Sequence, residues 1–117
     1  MKHITTDTFT EVISSNTMPT VVDFWATWCP PCMRLNDMLP MLSDKLNQVA
    51  EIAKVDIDAN QDLANRYNIK SIPTFIIFMP NGEAIDAFNP SGTTTAIADR
   101  IIFAIDNYNN NMRYSVK

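Results

Sequence analysis

The chain has 117 residues, 46% of them hydrophobic and 19% charged, with a net charge of −4. That length supports one domain with one core, and that composition is globular rather than disordered. The acidic balance argues against nucleic acid or an anionic membrane as partner, and no apolar run approaches the ~20 residues of a membrane span.

In chain order, Asp7 to Asn16 is predicted as a short helix, with Thr8 and Glu11 at capping-box spacing and Phe9, Val12 and Ile13 as its apolar stripe. Pro19 separates it from a buried strand over residues 20–26. The next helix runs from about Pro31 to Leu46, its apolar face made by Leu35, Met38, Leu39, Leu42 and Leu46, with a kink expected at Pro40. Residues 51–57 read as a second strand. A strand–helix–strand crossover makes the two strands parallel. A brief helix follows from Asn60, its expected cap, to Tyr67. Residues 74–79 are apolar throughout and form a third, central strand. Asn81-Gly82 signals a hairpin, and residues 84–88 return as an edge strand. Thr93 to about Asn107 is the closing helix, and residues 108–117 are expected as a polar, frayed tail. The N-terminus shows no signal-peptide pattern, so the expected location is the cytoplasm.

Both cysteines lie in Trp28-Cys29-Pro30-Pro31-Cys32, where the first long strand passes into a helix. A C-x-x-C in that setting is a redox motif, and in a cytoplasmic protein such a disulfide is transient and catalytic. The helix N-terminus stabilises a thiolate through its dipole and free N–H groups. Pro30 and Pro31 have no N–H, which leaves the Cys32 amide as donor. Cys29, ahead of the helix, is the expected nucleophile and the more exposed sulfur. Cys32 is the resolving thiol and needs a base. Asp23, inside the apolar run Val21-Val22-Asp23-Phe24-Trp25, is the candidate. Burial should lift its pKa toward neutrality, with Lys54 on the neighbouring strand as its electrostatic partner.

Four separated segments resemble the thioredoxin family: Val22-Asp23-Phe24-Trp25-Ala26, Trp28-Cys29-Pro30-Pro31-Cys32, Lys54-Val55-Asp56-Ile57-Asp58 and Ile72-Pro73-Thr74. The resemblance covers roughly residues 4–107. It implies an α/β thioredoxin fold, with a central mixed sheet of four to five strands flanked by helices on both faces. It implies one domain over residues 1–107 and protein thiol–disulfide exchange as the activity. Disulfide-bearing proteins are the implied substrates, a thioredoxin-reductase-like protein the electron donor, and a monomer the working form. No cofactor beyond the Cys29–Cys32 disulfide and no metal is implied. Pro73 matches the family's cis-proline. It should turn the Ile72 backbone toward the thiols, where an extended substrate could pair with it. Trp28, Pro30, Ile72 and Pro90 would form an apolar rim around Cys29.

The chain departs from the family's pattern at several points. Pro30-Pro31 replaces the common Gly-Pro, and Asp37 stands where the family's helix proline lies. Ser71 stands where a glycine is usual, and so does Asn89, a residue able to adopt positive φ. Two other functions compete with a disulfide reductase. A non-catalytic binding subunit would use the same rim, and a thiol oxidase or isomerase would run the same exchange in the other direction. Two cysteines and a remote His3 do not fill a tetrahedral metal site. Asp56 and Asp58 are expected in a solvated turn.

Overall fold

The computed structural model describes residues 1–115, and side chains through residue 112. The elements in order are β1 (Lys2–His3), α1 (Phe9–Ser15), β2 (Thr20–Trp25), α2 (Pro30–Lys45), β3 (Glu51–Asp56), α3 (Gln61–Arg66), β4 (Thr74–Phe78), β5 (Ala84–Phe88) and α4 (Thr94–Ser115). They build one five-stranded sheet of order β1-β3-β2-β4-β5. The β1–β3 and β2–β3 pairs are parallel, and β2–β4 and β4–β5 are antiparallel. None of the described helices is long and apolar enough to cross a membrane.

Alternation along the strands sorts the core into two layers, because successive side chains leave a strand on opposite faces. Val21, Ile52, Phe75 and Ile77 pack with Leu35, Leu39 and Leu42 of α2 and with Ile97, Ile101 and Ile105 of α4. Val22, Phe24, Val55, Ile76 and Phe78 pack on the other side with Phe9 and Ile13 of α1 and Leu63 of α3. The central strands are therefore covered on both faces, which is why they read as continuous apolar runs.

Several local expectations are corrected by the hydrogen bonds that form. Thr8 stands at the N-cap of α1 but makes no side-chain cap. Its hydroxyl accepts instead from the Thr5 N–H at 3.0 Å, so the capping box is not formed. Asn60 likewise precedes α3 without capping it. Its Oδ1 accepts from the Thr6 N–H at 2.9 Å, and its Nδ2 donates to the Asp56 carbonyl at 3.0 Å. That amide ties the loop after β1 to the end of β3. Strand β1 has only two exposed residues, too few to show an alternation. As expected, Pro40 lies inside helix α2, which continues to Lys45.

The closing helix extends to Ser115 rather than ending near Asn107, so it crosses the boundary expected between domain and tail. Lengthening a formed helix needs no new nucleus, so a polar, asparagine-rich sequence can continue it. Asn81 Nδ2 donates to the Tyr108 hydroxyl at 3.3 Å, which fastens this extension to the β4–β5 turn. Residues 116–117 of the expected tail lie outside the described residues.

The hairpin turn closes through the Gly82 N–H, which donates to the Met79 carbonyl at 2.8 Å, with Gly82 at φ +90°. A Cβ there would meet nothing within 4 Å, so only the backbone opposes a side chain. Gly82→Ala should cost about 1 kcal/mol in urea unfolding, and Gly82→Asn less, because Asn tolerates positive φ. Equal costs would contradict this account.

Candidate active site at the Cys29–Cys32 pair

The strand pairing gathers the site at one edge of the sheet. Phe24 near the end of β2 pairs with Thr74 at the start of β4, and Trp25 pairs with Asp56 at the end of β3. Phe75 pairs with Phe88 at the end of β5. The loops at 26–29, 57–60, 71–73 and 89–93 therefore emerge together. Open sheets with this kind of crossover bind at the carboxyl ends of their parallel strands.

Cys29 and Cys32 are joined as a disulfide. Cys29 is the N-cap of α2, and its Sγ accepts from the Cys32 N–H at 3.2 Å. That is the donor expected to remain beside two prolines. Cys29 is 4% exposed and Cys32 1%, so the order is as expected but both are buried in this oxidised state. Ala26, Trp25, Ile57 and Ile72 pack around them. Cys29 Sγ also lies 3.8 Å from the Ile72 carbonyl oxygen. The Ile72–Pro73 peptide bond is cis.

Asp23 is 1% exposed, and neither carboxylate oxygen has a hydrogen-bond partner. It alternates with Val22 and Phe24, so it shares the face of Val21 under α2. Burial pushes its pKa up to about 7, while the charge of Lys54 pulls the other way. Lys54 stands opposite Asp23 in the β2–β3 register and is itself only 6% exposed. It makes no ion pair with the carboxylate; the ion pair among the described residues is Arg100–Asp86. Its ammonium donates instead to Asn36 Oδ1 and lies 4.1 Å from the centre of the Trp25 ring. Lys54 thus acts on Asp23 through space, and its direct partner is on α2.

The rim residues differ in exposure. Trp28 is 64% exposed, and Pro30 is exposed. Ile72 and Pro90 are half-buried, and Pro73 is buried. Trp28 Nε1 donates to Asp58 Oδ2 at 2.7 Å, which fixes the indole while leaving its ring open. Asp56 Oδ1 accepts from the Asp58 N–H at 2.9 Å, so the two aspartates shape the turn that holds the indole. No group of three or more metal-ligating side chains is gathered among the described residues.

Two contributors were not picked out from sequence. Asn36 follows Cys32 by four residues, hence lies on the same helical face, and that spacing is the signal that would have found it. Asn89 is the other. The left-handed conformation in its loop belongs to Gly92 at φ +88°, and Asn89 contributes its side chain instead.

A cysteine pair at a helix N-terminus, a buried carboxylate under that helix and an apolar rim above it sit on a mixed five-stranded sheet of the thioredoxin-fold class. Residues 1–102 match the thioredoxin family, and the chain belongs to that family. It is 34% identical over 105 residues to "Thioredoxin Y, chloroplastic" of Oryza sativa subsp. japonica, covering 90% of this chain and 62% of that protein. It is 37% identical over 84 residues to thioredoxin of Rickettsia bellii (72% and 79% covered). It is 38% identical over 92 residues to thioredoxin of Chlorobaculum thiosulfatiphilum (79% and 83%). The chain thus spans about three fifths of the length of the rice relative.

The Asp23 environment makes a stability prediction with a definite sign. Its folded-state pKa of about 7 lies above the ordinary 3.8, so the folded protein holds that proton more tightly than the unfolded chain. The stabilisation is complete below pH 4 and is lost as pH rises through 7. Asn is a neutral isostere of the protonated carboxyl. Asp23→Asn should be more stable than the parent at pH 8 by up to about 4 kcal/mol, with no gain at pH 4. Denaturant titrations at the two pH values measure the difference; a gain independent of pH would refute the assignment.

Proposed function

We propose that the chain is a protein thiol–disulfide oxidoreductase acting as a reductant through the Cys29/Cys32 dithiol. The observation that carries this reading is Cys29 at the N-cap of α2, its sulfur bound to the Cys32 N–H and beside the Ile72 backbone. In the reduced protein the Cys29 thiolate attacks one sulfur of a substrate disulfide. A Cys29–substrate disulfide forms, the substrate S–S bond breaks, and the departing thiolate takes up a proton. Asp23 then accepts the Cys32 proton, and a pKa of about 7 suits a group that must take and return one near neutrality. The Cys32 thiolate attacks Cys29 Sγ, the disulfide of this chain closes, and the second substrate thiolate leaves. Two electrons have passed to the substrate. Lys54 tempers the proton affinity of Asp23.

Trp28, Pro30, Ile72, Pro73 and Pro90 form the substrate surface in this reading. Its support is an exposed indole held by Asp58 and an Ile72 carbonyl next to the attacking sulfur. An extended segment of the substrate pairs with the Ile72 backbone. Electrons return from a thioredoxin-reductase-like partner, and the protein works as a monomer. Such a cycle suits the cytoplasm, where thiols are held reduced.

The assignment of the two sulfurs has a direct check. With dithiothreitol as electron source, Cys29→Ser should abolish reduction of a protein disulfide such as insulin. Cys32→Ser should accumulate mixed disulfides visible on a non-reducing gel. Trapping by Cys29→Ser and not by Cys32→Ser would reverse the roles.

The direction of electron flow follows from the prolines. Positions 30 and 31 offer the sulfur no N–H, so the reduced thiolate keeps one backbone donor, the Cys32 amide. A less stabilised thiolate makes a weaker oxidant, and the potential should fall near the roughly −270 mV of thioredoxin. Equilibration with glutathione measures it. A value above about −200 mV would make the protein an oxidase or isomerase.

A further inference from the structure

Asn89 lies on the exposed loop after β5 and has no role in the exchange steps above. Its side-chain nitrogen reaches one loop at three points. It donates to the Pro73 carbonyl at 2.9 Å, to Ser71 Oγ at 3.0 Å and to Thr74 Oγ1 at 3.0 Å. Two N–H groups are thus shared among three acceptors. Thr74 Oγ1 in turn donates to the Ser71 carbonyl, so the loop is tied to itself as well as to Asn89.

The β4–β5 ladder ends at the Phe75–Phe88 pair, one residue before this contact. The two rings also meet there, with centroids 5.8 Å apart. The strands are therefore already joined, and the Asn89 amide acts where backbone pairing has stopped. What it joins are the loop that carries Ile72 and the loop that begins with Pro90. The first of these sets the Ile72 carbonyl 3.8 Å from Cys29 Sγ.

We propose that Asn89 is a positioning residue for protein substrates, a strut that holds the Ile72 backbone at its set distance from Cys29. Asn89 itself touches neither the sulfurs nor the reacting bond. Its effect falls on the entropy of ordering the loop, which a substrate segment would otherwise have to supply on binding. A loop held in advance favours docking of an extended chain and leaves the sulfur chemistry alone. The proposal rests on the thiol-exchange reading above and adds to it the device that sets affinity for polypeptide substrates.

Asn89→Leu keeps the side chain's approximate size and removes both donors. With insulin as substrate and dithiothreitol as electron source, KM should rise about tenfold and kcat should stay within twofold. Asn89→Gln, which keeps the donor, should recover part of the loss. In a double-mutant cycle with Thr74→Val, the two effects on KM should be non-additive, because both variants remove the Asn89–Thr74 hydrogen bond, one of the three that Asn89 makes. Urea unfolding of each variant separates folding from binding, and Asn89→Ser, with one hydroxyl donor, serves as the second variant if the leucine form does not fold. An unchanged KM, an effect confined to kcat, or simple additivity with Thr74→Val overturns the proposal. No turnover by the unsubstituted protein overturns the thiol-exchange reading and the proposal with it.

Discussion

The pairing of β2 governs the rest of the molecule. It has a parallel neighbour in β3 and an antiparallel one in β4. The parallel pair demands a crossover, and α2 supplies it. The antiparallel pair sets the start of β4 beside the end of β2. One helix N-terminus and one loop thus reach the same point from opposite chain directions, so Cys29 and Ile72 become neighbours although 43 residues separate them. Without that mixed pairing the cysteines would cap a helix with nothing opposite them.

The same strand carries the chief electrostatic cost. Asp23 lies in the core with both oxygens unpartnered, where a charge is strongly disfavoured. A nearby ammonium could have relieved this through a tight ion pair. Lys54 stands in register to do so but is held by Asn36 and the Trp25 ring. The carboxyl is left poised between its two protonation states near neutral pH. A direct ion pair would have favoured the charged form and lowered that pKa. Stability has been given up at the place where, in the proposed exchange, a proton has to move.

Above the sulfurs, order comes from single side-chain contacts rather than from the sheet. Asp58 fixes the Trp28 indole, and Asn89 fixes the loop around Pro73. Both are polar residues on loops, and both leave apolar or backbone groups presented to solvent. The surface is therefore ordered by the chain's own contacts, which in the proposed function lowers the entropy a substrate must overcome.

Much of this was legible in the residues. The apolar runs at 20–26 and 74–79 marked two strands, residues 51–57 read as another, and the leucine spacing after Cys32 marked α2. The burial of Asp23 followed from its apolar neighbours, and the cysteine spacing placed the redox pair at a helix start. The sequence misled where a local signal met a competing contact. Thr8 and Asn60 carried capping signatures, yet Asn60 spends its amide on Thr6 and Asp56. The asparagines after Tyr108 suggested a frayed end, yet the helix continues to Ser115. Periodicity and composition are properties of neighbours along the chain, so the sequence by itself determined the elements, the buried faces and the reactive pair. Which side chain meets which across the fold was decided only by tertiary structure. Lys54 with Asn36, Trp28 with Asp58 and Asn89 with the Ser71–Thr74 loop join residues 15 to 30 positions apart. Such contacts depend on the distance between loop ends, and that distance is fixed only when the strands pair.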